Sequence, residues 1–454
     1  MKPNIILITV DALRAGHLGF MGYEKGITPN IDNLAKQSIV FNNAFSVGPT
    51  TPYSFPSILT STYPLDYQGP KEIKAPRVFI SEILKKQGFT TLAFHSSPYL
   101  SDYFGYNKGW DFFQDITFPM NSSSSHSQGF FKKLFKRILI FISPNLLFRL
   151  AYLKYRIKGP KNVRIKASFV NKLVRDFIYS LKNQEKPLFI WIHYMDVHTP
   201  PFCYSEGKKC SYAELMGSYV STAIWNYGNK GALKRFIKNN FKKYIKETTS
   251  SYNQAIQYLD EQIGDLLNFL KKENIYQNSI VCLASDHGDE LLEHGGLGHN
   301  TQLYNEVLHI PLLIKIPGLE NKIVNKKVSL IDLAPTLCDL AGIETDVFKG
   351  KTLFGQNKDY IFHQAGFSKK QGHHIGIKNL SECRIACQSD AWKYILDYDT
   401  GAEELYNLFK DPREQNNLSD TEPKILFQMR KRIQEFEKKN PLLSLVSSSK
   451  NYEH

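Results

Sequence analysis

Acidic residues are absent from a long stretch of this 454-residue chain: none occurs between positions 116 and 175. A second run, 230–246 (KGALKRFIKNNFKKYIK), also has none, and the formal net charge is +14. Such runs suit an anionic partner (a phosphate, a sulfated glycan, nucleic acid or a lipid surface) or form a solvated basic face. No specific nucleic-acid motif accompanies them. Cysteine is scarce, with six residues. Cys282 and Cys338 sit in apolar runs and read as core, whereas the Cys203/Cys210 and Cys383/Cys387 pairs are close enough in sequence to bond. Long apolar runs are missing too. IILITV at 5–10 is too short to span a bilayer, and a first strand beginning at Asn4 leaves no room for a charged and then apolar leader. These absences set the expectation of a cytoplasmic protein or one peripheral to a membrane. No repeat period is visible, and 42% hydrophobic content with 13% aromatics describes a globular chain with ample core.

Buried-strand signals alternate with helical ones. Residues 4–10, 90–95, 187–194, 279–284 and 311–316 read as strands, and 29–38, 78–87, 248–273 and 331–340 as helices, with Thr28 as the cap of the first and Pro29 at its first helical position. The alternation predicts an α/β fold with a mainly parallel central sheet flanked by helices. After about residue 346 the pattern changes to short strands and a final helix, 423–438, a smaller C-terminal α+β subdomain. The expected organisation is a catalytic domain at 1–345 with basic inserts at about 121–160 and 205–246, then the subdomain and tail at 346–454. The first insert reads as a basic amphipathic segment lying on an anionic membrane or as a helical hairpin on the main domain.

In such sheets ligands bind at the carboxyl ends of the strands. Asp11, the Asp196/His198 pair and Asp286/His287 all follow predicted strands. Alone, Asp11 is a strand-end cap or a metal ligand. Residues 285–300, SDHGDELLEHGGLGHN, hold Asp286, His287, Asp289, Glu290, Glu293, His294 and His299 among four glycines. Asp/His sets suit divalent metals with mixed oxygen and nitrogen ligation. His193 belongs to the same region as Asp196 and reads as facing the sheet interior.

In order along the chain, NIILITVDALRAGHLGFMGY, TTPYSFPSILTS, HYMDVHTPPF, ASDHGDELLEHGGLGHN with LYNEVLHIPLLIKIPG, VSLIDLAPTLCDLAGI and WKYILDYDTGAEELYNLFKDPREQNNL resemble the successive motifs of the sulfatase family, within the alkaline phosphatase superfamily. The resemblance runs from about Asn4 to Leu418, with only the basic inserts outside it. It implies Asp11, Asp286 and His287 as ligands of a divalent metal (Ca, Mn, Mg or Zn). It puts Thr51 at the metal-touching nucleophile position, and it makes His198 and His299 contacts of the substrate or leaving group. Arg14 is a further candidate to face the anion. A second metal on Asp196, His198 and His299 is an open alternative.

Two departures stand out. Ala12 replaces a second acidic residue found in many members. Thr51 stands where sulfatases carry a Cys or Ser that becomes formylglycine, with Tyr53 for the motif's proline and Phe55 for its arginine. A rival register through Ser54 has the proline but falls three residues short of the spacing to Thr60. A formylglycine hydrate expels sulfate through its second hydroxyl, an exit threonine lacks, so a threonine ester must be cleaved by water or passed to another acceptor. The expected function is a metal-dependent hydrolase of anionic sulfate or phosphate esters, on a glycan or lipid. The alternatives are a phospho-group transferase acting at a membrane surface and a non-catalytic binding protein.

Overall fold

The computed structural model describes residues 2–69, 73, 76–116, 165–181, 185–198, 231–368 and 380–440, with the backbone alone for 231–248 and a few other positions. The 121–160 insert, residues 205–230 of the second insert and the Cys203/Cys210 pair lie outside these residues.

A nine-stranded sheet organises the chain. It comprises β1 (Asn4–Val10), β2 (Ile39–Phe45), β3 (Thr90–His95), β4 (Phe112–Asp115), β5 (Leu188–Tyr194), β6 (Ser279–Ser285), β9 (His309–Ile310), β10 (Leu312–Lys315) and β11 (Lys322–Ser329), with β7 (Glu290–Leu291) and β8 (Leu297–Gly298) forming a separate hairpin. The order is β11-β2-β10-β6-β1-β5-β3-β4, with β9 pairing β2. β1 is central and runs parallel to β5 and β6, while β10 is antiparallel to β6 and β2. The sheet is therefore mainly parallel, as the alternation predicts. β2, β4, β9 and β11 are additions to the strands read from the sequence; KIVNKKVS is too polar to read as a buried strand, and the edge position of β11 accounts for its exposed first half.

Strand alternation loads both faces. Ile6, Ile8 and Val10 of β1 share a core with α4 (Ala167–Ser180) and α5 (Gly231–Lys272). Ile5 and Leu7 share the opposite core with α2 (Thr51–Thr60), α3 (Ile80–Lys86) and α6 (Leu333–Leu340). Helix α1 (Pro29–Ala35) begins with proline, but Thr28 does not cap it through its side chain. The Asn30 and Ile31 N–H groups instead donate to the Asp260 carboxylate on α5, at 3.1 and 2.8 Å. No helix among the described residues is long and apolar enough to cross a membrane.

The C-terminal part is a four-stranded antiparallel sheet, β12 (Ile361–Ser368), β13 (Leu380–Gln388), β14 (Trp392–Asp397) and β15 (Glu403–Asn407), covered by α7 (Pro423–Lys439). Leu426, Met429, Ile433 and Phe436 form the buried stripe of α7 at helical spacing. Cys383 and Cys387 are both buried. They lie four residues apart on one strand, roughly 13 Å at about 3.3 Å per residue, so no disulfide can join them.

Candidate active site

The site forms where β1, β5 and β6 end. Val10 is level with Tyr194 on one side and Ser285 on the other. One residue on, the Asp11 N–H donates to the Tyr194 carbonyl (2.9 Å) and the Asp286 N–H to the Val10 carbonyl (3.3 Å). Asp11 and Asp286 thus leave adjacent strands at one height. Ala12 then turns the chain at φ 59°, its N–H donating to Asp286 Oδ1 at 3.2 Å and its carbonyl accepting from the Tyr252 hydroxyl at 2.6 Å.

Helix α2 delivers two hydroxyls. Thr51, its first residue and 3% exposed, donates to Asp11 Oδ2 at 3.1 Å. Ser54, in the same first turn, donates to the Thr51 carbonyl at 3.2 Å and lies 3.5 Å from Asp286 Oδ2. Both registers weighed from the sequence therefore converge here, with Thr51 facing Asp11 and Ser54 backing Asp286.

His287 Nδ1 is 2.9 Å from the Gly288 carbonyl oxygen, which can only accept, so this nitrogen carries the ring proton and Nε2 presents a lone pair. Nε2 sits 3.8 Å from Asp11 Oδ1 and 3.5 Å from Asp286 Oδ2. Burial, then the neighbouring His299, holds the imidazole well below its usual range, in the neutral form. The Asp286 carboxyl is pushed well above the usual range, first by burial and then by the negative charge of Asp11. Burial acts the same way on Asp11, but opposing influences, His198 first among them, outweigh it and hold that carboxyl well below its usual range. Asp11 Oδ1 and His287 Nε2 thus face each other at 3.8 Å, and neither has a hydrogen-bond partner among the described residues. Two carboxylates, a neutral imidazole and a hydroxyl fit a divalent cation.

His299 completes the floor. Its Nδ1 is 2.6 Å from Asp289 Oδ1, and its ring centroid is 4.2 Å from that of His287 and 4.8 Å from that of His198. Asp11, His287 and His299 each place a ligating atom within 4.8 Å of the others.

The sequence profile of the sulfatase family matches residues 3–343. The chain belongs to the sulfatase family. A profile described as the C-terminal part of N-sulphoglucosamine sulphohydrolase matches residues 293–439. Among curated relatives, an arylsulfatase of Clostridium perfringens is 25% identical, the alignment covering 93% of this chain and 91% of that protein. A Δ4,5-hexuronate-2-O-sulfatase of Bacteroides thetaiotaomicron is 21% identical over 92% of this chain and 85% of its own length. The solved phosphonate monoester hydrolase of Agrobacterium radiobacter shares the fold, with a TM-score of 0.68 at 19% identity, covering 98% of this chain and 96% of that one.

Against this sulfatase frame, the remaining sequence-predicted residues divide. Thr51, Asp11, Asp286, His287, His198 and His299 gather at one place. Asp196 is engaged elsewhere: its Oδ1 accepts from the Ala167 N–H at 3.1 Å, at the start of α4. Arg14 pairs with Glu293 at 2.7 Å and lines a separate cleft of about 500 Å³ with Glu306, His309 and Arg413. A second acidic cluster, Glu290, His294 and Glu306, is not built for a metal. His294 reaches Glu306 Oε1 (2.5 Å) through Nδ1 and the Glu414 carbonyl (2.8 Å) through Nε2, so both nitrogens carry protons. Burial opposes that charge, but Glu306 outweighs it and raises the imidazolium to about 9.

Sequence reasoning left three participants without a role. Asp289 carried a visible signal, a fourth ligand-type residue three positions after Asp286. Thr9 is a lone hydroxyl in the apolar strand β1, and His193 does more than fill the sheet interior. It is the penultimate residue of β5, level with Thr9, with its Nε2 3.7 Å from Asp11 Oδ2.

Proposed function

We propose that this sulfatase-family chain hydrolyses sulfate or phosphate esters, with Thr51 as nucleophile in a divalent-metal site. The observation that carries the reading is the Thr51 hydroxyl, buried at the start of α2 and 3.1 Å from Asp11 Oδ2. Asp11, Asp286, His287 and Thr51 would hold the cation, which when bound draws electron density from the ester oxygens and lowers the pKa of an adjacent hydroxyl. Thr51 Oγ1 forms a bond to sulfur or phosphorus as the bond to the leaving alcohol oxygen breaks. Its own proton passes to the neighbouring carboxylate. His299, with Nδ1 committed to Asp289, turns Nε2 to the leaving oxygen and supplies its proton, and His198 sits edge-on to the same ring. Water then attacks the sulfur or phosphorus as its bond to Thr51 Oγ1 breaks; the water's proton goes to His299, and the carboxylate returns its proton to Oγ1.

The named relatives favour anionic carbohydrate esters as the substrate class. A solved relative is described in complex with its substrate D-glucosamine-2-N,6-O-disulfate, and another curated relative as ulvan-active. The test is turnover of aryl sulfate, phosphate monoester, phosphodiester and phosphonate substrates by the purified chain with Mn²⁺, Ca²⁺, Mg²⁺ or Zn²⁺. We expect Thr51→Ala to abolish every activity found. Undiminished turnover by that variant would remove Thr51 as nucleophile.

A further inference from the structure

His193 is fully buried near the end of β5, and its two nitrogens have different surroundings. Nδ1 lies 3.0 Å from Thr9 Oγ1. Nε2 has no hydrogen-bond partner among the described residues and lies 3.7 Å from Asp11 Oδ2. That separation is too long for a hydrogen bond.

The hydroxyl of Thr9 decides the tautomer. Trp191 Nε1–H donates to Thr9 Oγ1 at 3.0 Å, and Oγ1 in turn donates to the Ile192 carbonyl at 3.3 Å. Indole can only donate and a carbonyl can only accept. A hydroxyl owns one proton, so with that proton on Ile192 the contact to His193 closes only if Nδ1–H donates to Oγ1. Nδ1 is then committed to Thr9, and Nε2 is the nitrogen left to face the Asp11 carboxyl group. His287 shows the same pattern, with Nδ1 committed to a backbone carbonyl and Nε2 facing Asp11 Oδ1 from the other side.

Two ligand atoms about 2.1 Å from one ion, at angles of about 90–120°, lie roughly 3.0–3.6 Å apart, and oxygen ligands at about 2.4 Å roughly 3.4–4.2 Å apart. The 3.7 Å from His193 and the 3.8 and 3.5 Å from His287 fall at or close to these spans. Ala12, beside Asp11, offers only a methyl group. We infer that His193 is a ligand of the ion held by Asp11, supplying through Nε2 the donor that position 12 lacks, with Thr9 and Trp191 fixing its ring.

The inference rests on the metal reading of the site but not on Thr51 as nucleophile, and its test reads binding rather than turnover. The full chain, stripped with a chelator, is titrated with Mn²⁺ and studied by calorimetry and pulsed EPR. His193→Ala is expected to raise the Mn²⁺ Kd by at least about 10-fold and to remove one directly bound imidazole nitrogen from the EPR spectrum, with added imidazole restoring both. An unchanged nitrogen signal overturns the assignment, even if affinity falls, because a residue that only orients Asp11 would leave that signal intact. If His193→Ala does not fold, Thr9→Val is read instead. It keeps the imidazole but removes its acceptor, and must weaken the same nitrogen coupling, an unaltered coupling being the contrary result. A wild-type chain that binds no Mn²⁺, Ca²⁺ or Zn²⁺ overturns this inference together with the metal reading. Binding without a His193 contribution overturns this inference alone.

Discussion

Asp289 Oδ1 and His299 Nδ1 are 2.6 Å apart, and Asp289 is wholly shielded from solvent. Burial raises that carboxyl, and His299 is the chief influence opposing the rise. In the reaction proposed above, this pair would leave Nε2 as the nitrogen turned to the ester. Asp289→Asn leaves the ring in place but removes the charge that favours its protonated form. Hydrolysis of alkyl esters, whose leaving oxygen needs a proton, should fall about 10²–10⁴-fold. Esters of acidic phenols should fall far less. Rates across a series of leaving groups check this, and an equal loss throughout the series would contradict a proton-donating role.

Thr51→Ser keeps the hydroxyl and should retain measurable turnover, whereas Thr51→Ala should lose at least about 10³-fold in kcat. Ser54→Ala removes only the hydroxyl behind Asp286, so its effect should appear mainly in metal affinity. Steady-state kinetics with metal titrations separate the three.

The His294 imidazolium links the 290–298 hairpin to Glu306 and to the Glu414 carbonyl, stacked at 3.7 Å on Tyr304. With Glu306 holding it near 9 against an ordinary 6.5, its contribution is complete below about pH 6.5 and fades as pH rises through about 9. The expected size is about 3 kcal/mol. Urea denaturation from pH 6 to 9.5 should show the decline, and His294→Gln should flatten it.

Gly48 precedes α2 where no side chain fits. A Cβ there would lie 2.5 Å from Tyr53 Cβ and 2.7 Å from the Tyr53 carbonyl oxygen. Gly48→Ala should cost about 1–3 kcal/mol of stability and lower kcat by displacing the start of α2. Thermal melts and activity measured on the same preparation test both effects.

Much of this site was legible because strand ends are. Asp11, Asp286 and His287 each follow an apolar run, and adjacency of the parallel strands does the rest. Thr51 became visible only through motif order, since a threonine at a helix start has an ordinary capping role. The partner of Arg14 was hidden because Glu293 reaches it from a hairpin far along the chain, and the same hairpin brings Asp289 to His299. For His193, the period-two pattern assigns a face of the sheet but not which nitrogen meets what at the strand end. Thr28 misled because the competing cap, Asp260, comes from a different helix.

The segment around Thr51 is also held from the far end of the chain. The Gln364 N–H donates to the Val47 carbonyl (2.8 Å), His363 Nδ1 pairs with the Ser46 carbonyl (2.7 Å), and the Leu65 N–H donates to Gln364 Oε1 (3.1 Å). Tyr53 packs in one core with Cys383, Ile385 and α7. These contacts join residues about 300 positions apart, and loops of that length close late in folding. During synthesis, Asp11, Asp286 and His287 can come together before β12 and β13 have left the ribosome. The Thr51 segment cannot be locked in register until they have, so on the ribosome-bound chain the proposed metal ligands would meet before the proposed nucleophile is fixed beside them.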